Sequence, residues 1–234
     1  MSSRPPVSAD RSLFSWYALF KAVGWAISKL VARVRIQGLE HIPEEGPYLV
    51  VSSHQSFLDP IFIQAHMPRA PHTLTKSTQF AGRPWRWILP RLQTLPTRRY
   101  RVDPQVVRAV LRKLDQGEGV FIYAEGERTW DGAVQPLRRG TVRLILKAGV
   151  PVIPCGAAGS YDVLPRWSRT IRRQDVWLRF GEPLEFGAHH DREERDCRVD
   201  EVHDHLVAEL ERLAAVPGTP WEELGAADPA REES

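Results

Sequence analysis

Three short runs of apolar, β-branched or aromatic residues are separated by stretches of helical periodicity, and this alternation constrains the fold more than any other feature. The runs are Tyr48 to Ser52 (YLVVS), Val120 to Ala124 (VFIYA) and Val150 to Pro154 (VPVIP), each bounded by turn residues. Continuous apolar runs this short fit strands buried on both faces, as in parallel sheets whose crossovers are helices. Between them, Pro104 to Gln116 and Leu137 to Ala148 carry apolar positions at helical spacing, with Gly117 and Gly149 as stops. Asp175 to Phe180 (DVWLRF) reads as a further strand, and Arg35 to Glu40 as a short one ahead of the turn that contains Pro43, Gly46 and Pro47. The expectation is an α/β fold: one domain with a largely parallel or mixed central sheet flanked by helices. At 234 residues the chain can bury one sizeable core, and its length requires no second domain.

Leu13 to Val34 is the most apolar long segment. Leu13, Trp16, Phe20, Ile27, Leu30, Val31 and Val34 recur at helical spacing, and Lys21, Lys29 and Arg33 interrupt the run. A bilayer span needs about 20 mostly apolar residues, and a lysine near its middle is costly. The pattern predicts an amphipathic helix lying on a membrane surface, with aromatic and basic residues among anionic headgroups. A helix that merely covers one face of the core is the alternative. Asp191 to Ala215 reads as a charged surface helix and Gly218 to Ser234 as a polar tail. The expected division is therefore an arm and helix over 1–34, a catalytic-type core over 35–187, and a charged helix and tail over 188–234.

Charge is unevenly spread. From Arg69 to Lys113 there are eleven Lys or Arg against one acid, Asp103, whereas Glu182 to Ser234 holds sixteen acids against five Arg. A basic centre suggests an anionic ligand or surface, with a solvated face as the plainer explanation. Two cysteines, Cys155 and Cys197, form neither a disulfide framework nor a zinc pattern and suggest a reducing compartment. Met1 to Asp10 is polar and contains proline, unlike a secretory signal. His189/His190 and His203/His205 do not stack on one helix face, so no metal is expected.

In open α/β sheets the ligand site lies beyond the carboxyl ends of the strands. YLVVS is followed by Ser53-His54-Gln55-Ser56-Phe57-Leu58-Asp59, VFIYA by Glu125-Gly126-Glu127-Arg128, and VPVIP by Cys155-Gly156. Each is weak alone: Asp59 before Pro60 is also a good helix start, and Glu125-Gly126 could be a turn. Together they deliver titratable groups to one edge. A histidine there suits general base work at neutral pH. A hydrolase using Cys155 with His54, or a silent lipid-binding module, would be a reading of another class.

The residues from about Arg35 to Glu185 resemble the glycerolipid acyltransferases typified by 1-acyl-glycerol-3-phosphate acyltransferase. Four signatures occur in order: His54-Gln55-Ser56-Phe57-Leu58-Asp59 after Gly46-Pro47-Tyr48, then Leu95-Pro96-Thr97-Arg98-Arg99, Tyr123-Ala124-Glu125-Gly126-Glu127-Arg128, and Val150-Pro151-Val152-Ile153-Pro154. Three positions depart from the pattern: Gln93 stands where a glycine is usual, Ala124 where proline is, and Glu127 where threonine is. These departures bear on the acceptor and leave the His54 and Asp59 pair intact.

The resemblance implies an O-acyltransferase of phospholipid biosynthesis with His54 as base and Asp59 as its partner. It implies Arg99 and Arg128 near an acceptor phosphate, Glu125 on a substrate hydroxyl, Gly126 for close backbone approach, and Pro154 in the substrate-binding set. The expected partners are a lysolipid acceptor, acyl-CoA or acyl carrier protein as donor, and an anionic membrane surface, with no nucleic acid and no cofactor beyond the donor. A non-phosphate lysolipid or an amino-lipid precursor is the alternative acceptor. The expected location is peripheral, on the cytoplasmic face of a membrane.

Overall fold

A computed structural model describes residues 11–97 and 103–215, with the side chains of the first helix described from Trp16 onward. Seven strands form one mixed sheet in the order β1-β7-β6-β2-β5-β3-β4. They are β1 (Ala32–Gln37), β2 (Tyr48–Ser52), β3 (His72–Lys76), β4 (Thr94–Thr97), β5 (Gly119–Tyr123), β6 (Val152–Ala158) and β7 (Gln174–Phe180). β6, β2, β5, β3 and β4 run parallel; β7 turns antiparallel to β6 and carries β1 parallel to itself. The α/β reading holds, with the sheet mixed through that one reversal.

The apolar runs occupy the middle. β2 lies between β5 and β6, and all five of its residues are buried, as a strand covered on both faces requires. Alternation sorts each strand between two cores. Leu49, Val51, Val120, Ile122 and Val152 face α4 (Pro104–Asp115), α5 (Arg139–Ala148) and α7 (Arg192–Ala214). Tyr48, Val50, Phe121, Ile153, Cys155 and Ala157 face the opposite way, onto Leu58, Phe62, Ile63 and Met67 in and around α2 (Asp59–Gln64).

The structure differs from the sequence expectations in several places. The strand expected from Arg35 begins at Ala32, so the boundary drawn at residue 34 falls inside β1. α1 (Arg11–Val31) is joined to the core: Tyr17 Oη donates to the Gln64 carbonyl at 3.0 Å and Lys21 Nζ to that of Met67 at 2.7 Å. At Gly24 a side chain would strike Ala65, so the glycine lets α1 and the end of α2 approach closely. α7 is capped by Asp191, whose carboxylate accepts from the Glu193 and Glu194 N–H groups. It is no mere surface helix, because Val199, Val202, Leu206, Leu210 and Leu213 form a buried stripe against the sheet. Its high charge masked that stripe. β3, β4 and α3 (Arg83–Arg91) have no counterpart in the sequence reading; their Thr, Lys, Trp and Arg content gives neither a clean apolar run nor a clean helical period.

Candidate active site

His54 leaves the carboxyl end of β2 in the middle of the sheet, and Asp59 opens α2 five residues later. The Asp59 side chain does not cap its own helix. It turns back, and Oδ2 accepts from His54 Nδ1 at 2.8 Å, from Gln55 N at 2.7 Å and from Ser56 N at 2.7 Å. Asp59 is fully buried; two backbone N–H groups and an imidazole replace water at Oδ2, while Oδ1 is buried with no hydrogen-bond partner. With the oxygen accepting, Nδ1 is the protonated nitrogen of the neutral imidazole, and the lone pair of that form lies on Nε2. That is the tautomer a general base needs, and the His54 side chain remains 13% exposed.

The ring is held from a second direction. Tyr123, last residue of β5, stacks on His54 with centroids 4.0 Å apart and planes at 19°. The Tyr123 hydroxyl is buried, and its approach to Gln64 falls short of a formed hydrogen bond. Burial, with the Asp59 charge as a smaller contribution, pushes it far above the ordinary phenol value, so it stays protonated.

Glu125 follows β5 and is buried beside His54. Its Oε2 accepts from His54 N at 3.4 Å and its Oε1 from Gln135 N at 3.3 Å. Burial outweighs these two long bonds and raises the carboxyl to about 8. Gly126 adopts a φ of 77°, and any side chain there would collide with Arg138, whose Nε donates to the Glu125 carbonyl at 3.0 Å. Thr129 N donates to the His54 carbonyl at 2.8 Å, and Gln55 Nε2 to the Gly132 carbonyl at 2.7 Å. The loops after β2 and β5 are thus laced into one wall.

Of the residues singled out by sequence, the structure brings together His54, Asp59, Glu125 and Gly126. Arg128 lies at the rim of this group, its guanidinium 5.9 Å from the centroid of the exposed Phe57 ring. Arg99 lies outside the described residues. Pro154 does not join the cluster: it is buried within β6, paired with Val51, and its carbonyl accepts from Gly181 N at 2.8 Å. Cys155 does not emerge at a strand end, because β6 runs on to Ala158. Burial pushes its thiol up to about 12, so it is neither exposed nor readily ionised, and the cysteine hydrolase reading is overturned. Sequence reasoning gave no individual role to Tyr123, Gln55, Thr129, Arg138 or Arg166. Two of them had a signal: Tyr123 lies two residues before Glu125 at a strand end, and Gln55 directly follows His54 in the first signature.

An α/β protein with a carboxylate-oriented histidine at the carboxyl edge of its parallel strands is of the class that can deprotonate a bound hydroxyl during attack. Residues 33–158 match the Acyltransferase family model, and the chain belongs to that family. It is 31% identical to a chloroplastic 1-acyl-sn-glycerol-3-phosphate acyltransferase of Brassica napus over 75% of this chain and 50% of the relative. It is 25% identical to the 1-acyl-sn-glycerol-3-phosphate acyltransferase of Bacillus subtilis over 79% of this chain and 92% of the relative. The chain spans about half the length of the plant and mammalian relatives that it matches. The crystal structure of the 1-acyl-sn-glycerophosphate acyltransferase PlsC from Thermotoga maritima is similar at a TM-score of 0.68 and 25% identity, over 83% of this chain and 79% of that one.

Proposed function

We propose that the protein transfers a fatty acyl group from an acyl-CoA or acyl-carrier-protein thioester to the free hydroxyl of 1-acyl-glycerol-3-phosphate or a related lysolipid. The single observation that carries this reading is the 2.8 Å bond between His54 Nδ1 and the buried Asp59 carboxylate, which leaves Nε2 as an oriented base. Nε2 takes the acceptor hydroxyl proton as the oxygen attacks the thioester carbonyl carbon. The tetrahedral intermediate then collapses with cleavage of the C–S bond, and His54 returns the proton to the departing sulfur. Asp59 stabilises the imidazolium between the two transfers and does not itself take the proton. Near neutral pH a Glu125 carboxyl raised to about 8 holds a proton and can both donate to and accept from an acceptor oxygen. Arg128, with Arg99, would take the acceptor phosphate through the planar guanidinium fork.

The protein would work peripherally, on the cytoplasmic face of an anionic membrane. Among the described residues no helix is long and apolar enough to cross a bilayer. α1 exposes Leu19, Val23, Trp25 and Leu30 while Tyr17 and Ser28 are buried, and Lys29 Nζ sits 3.7 Å over the Trp25 ring. An apolar face edged with cations is what a helix at the headgroup boundary uses. The deciding assay supplies the purified protein with acyl-CoA and acyl carrier protein donors against a panel of lysolipids with and without phosphate. Ester formation on the phosphate-bearing lysolipid is expected; transfer to none of the panel would overturn the reading.

A further inference from the structure

Glu127 places a carboxylate between the Glu125-Gly126 turn and Arg128, and its partner comes from far along the chain. Oε2 lies 3.2 Å from Nη1 of Arg166, which also donates to the Arg128 carbonyl at 3.0 Å. The Arg166 guanidinium is 3.9 Å from the centroid of the Trp130 ring. Arg166 lies beyond the stretch matched by the family model, which ends at 158. The segment that carries it is nevertheless fastened to the site at three points. Ser160 Oγ donates to Gln55 Oε1 at 3.2 Å, Ser56 Oγ to the Leu164 carbonyl at 3.0 Å, and Tyr161 Oη to the Trp130 carbonyl at 2.7 Å. Two of those anchors, Gln55 and Ser56, directly follow His54. With 23% of its side chain exposed, Arg166 is held in place but still open to a ligand.

We propose that Arg166 is a specificity-determining residue that binds the phosphate of the acyl acceptor, with Glu127 as the internal counter-ion that the phosphate displaces. The inference rests on the acyl-transfer reading above and extends it to a residue outside the four signatures. Stacking on Trp130 and pairing with Glu127 fix the guanidinium plane before ligand arrives, so little side-chain freedom is lost on binding. A phosphate offers more charge and more acceptor oxygens than one carboxylate, and the guanidinium fork fits it bidentately. Glu127 thereby sets a threshold: an uncharged head group gains nothing by displacing it, whereas a phosphate does.

An ion pair that only braces the loop predicts the same sign for removal of either partner, and a counter-ion predicts opposite signs. Arg166→Gln should raise KM for 1-acyl-glycerol-3-phosphate by roughly five- to thirtyfold with kcat nearly kept, and Arg166→Lys should recover part of the loss. Glu127→Gln should lower the same KM. KM for the monoacylglycerol of equal chain length should hardly move in either variant. Direct binding of the same two lipids to each variant, followed by tryptophan fluorescence, is measured in parallel. If wild type transfers to neither lipid, the acyl-transfer reading fails, and selective loss of phosphate-lipid binding in Arg166→Gln still decides the role of Arg166. The proposal is overturned if both substitutions raise KM alike, or if Arg166→Gln weakens both lipids in equal proportion while thermal melting shows it folded.

Discussion

The Tyr123 ring lies nearly parallel to the His54 imidazole at a centroid separation of 4.0 Å, so the base is fixed by a face contact as well as by the Asp59 carboxylate. An aromatic face also favours the imidazolium that forms during transfer, by about 1 kcal/mol. Tyr123→Leu should therefore lower kcat about fivefold with little change in KM. Tyr123→Phe keeps the ring and removes a buried hydroxyl without a formed hydrogen bond, so its activity and melting temperature should match or exceed wild type. Steady-state kinetics and melting curves check both; a Phe variant as slow as the Leu variant would mean that the hydroxyl, and not the ring, matters.

His54→Ala should abolish transfer. Asp59→Asn should reduce turnover about a thousandfold or more, because the amide can present its NH2 group to Nδ1 and stabilise the wrong tautomer. Cys155→Ser should remain active, since the thiol sits inside β6 and not in the site. Turnover is compared in variants that circular dichroism shows to be folded. Substantial transfer by folded His54→Ala would remove the basis of the mechanism.

Glu125 makes stability depend on pH. Burial raises its carboxyl from an ordinary 4.5 to about 8, so the folded protein binds this proton more tightly than the unfolded chain. Its favourable contribution is complete below pH about 4.5 and is lost as pH rises through about 8. Glu125→Gln holds the neutral state at every pH. Its melting temperature should gain on wild type as pH rises across that window, and calorimetry at several pH values tests this; parallel curves would show that Glu125 is not held protonated.

The exposed face of α1 should govern membrane binding. Deleting the helix is a poor test, because Tyr17 and Lys21 bond to the α2 region. Trp25→Ser with Leu30→Ser leaves those bonds in place. The double variant should sediment less with anionic vesicles, and added salt should weaken wild-type binding too. Activity on a monomeric short-chain acceptor should persist. Equal sedimentation of variant and wild type would assign the face to something other than a bilayer.

The sequence by itself determined the central architecture. Strands buried on both faces must be apolar throughout, so YLVVS, VFIYA and VPVIP announce themselves, and the site residues follow the carboxyl ends of the first two. His54, Asp59, Glu125 and Gly126 were legible for that reason and because they recur as short motifs. β3 and β4, the last two strands at one end of the sheet, were not, since partly exposed strands tolerate Thr and Lys and lose the apolar signal. Nor could charge content reveal that α7 belongs to the core, because one stripe of five apolar residues suffices to bury a helix. Only the tertiary structure decided what each polar group faces. It turned Asp59 away from its helix and onto His54, laid Tyr123 against the imidazole, withdrew Cys155 into a strand, and gave Glu127 to Arg166 thirty-nine residues on. Such pairings depend on where the sheet order and the crossovers bring distant loops together, and no local pattern encodes that distance.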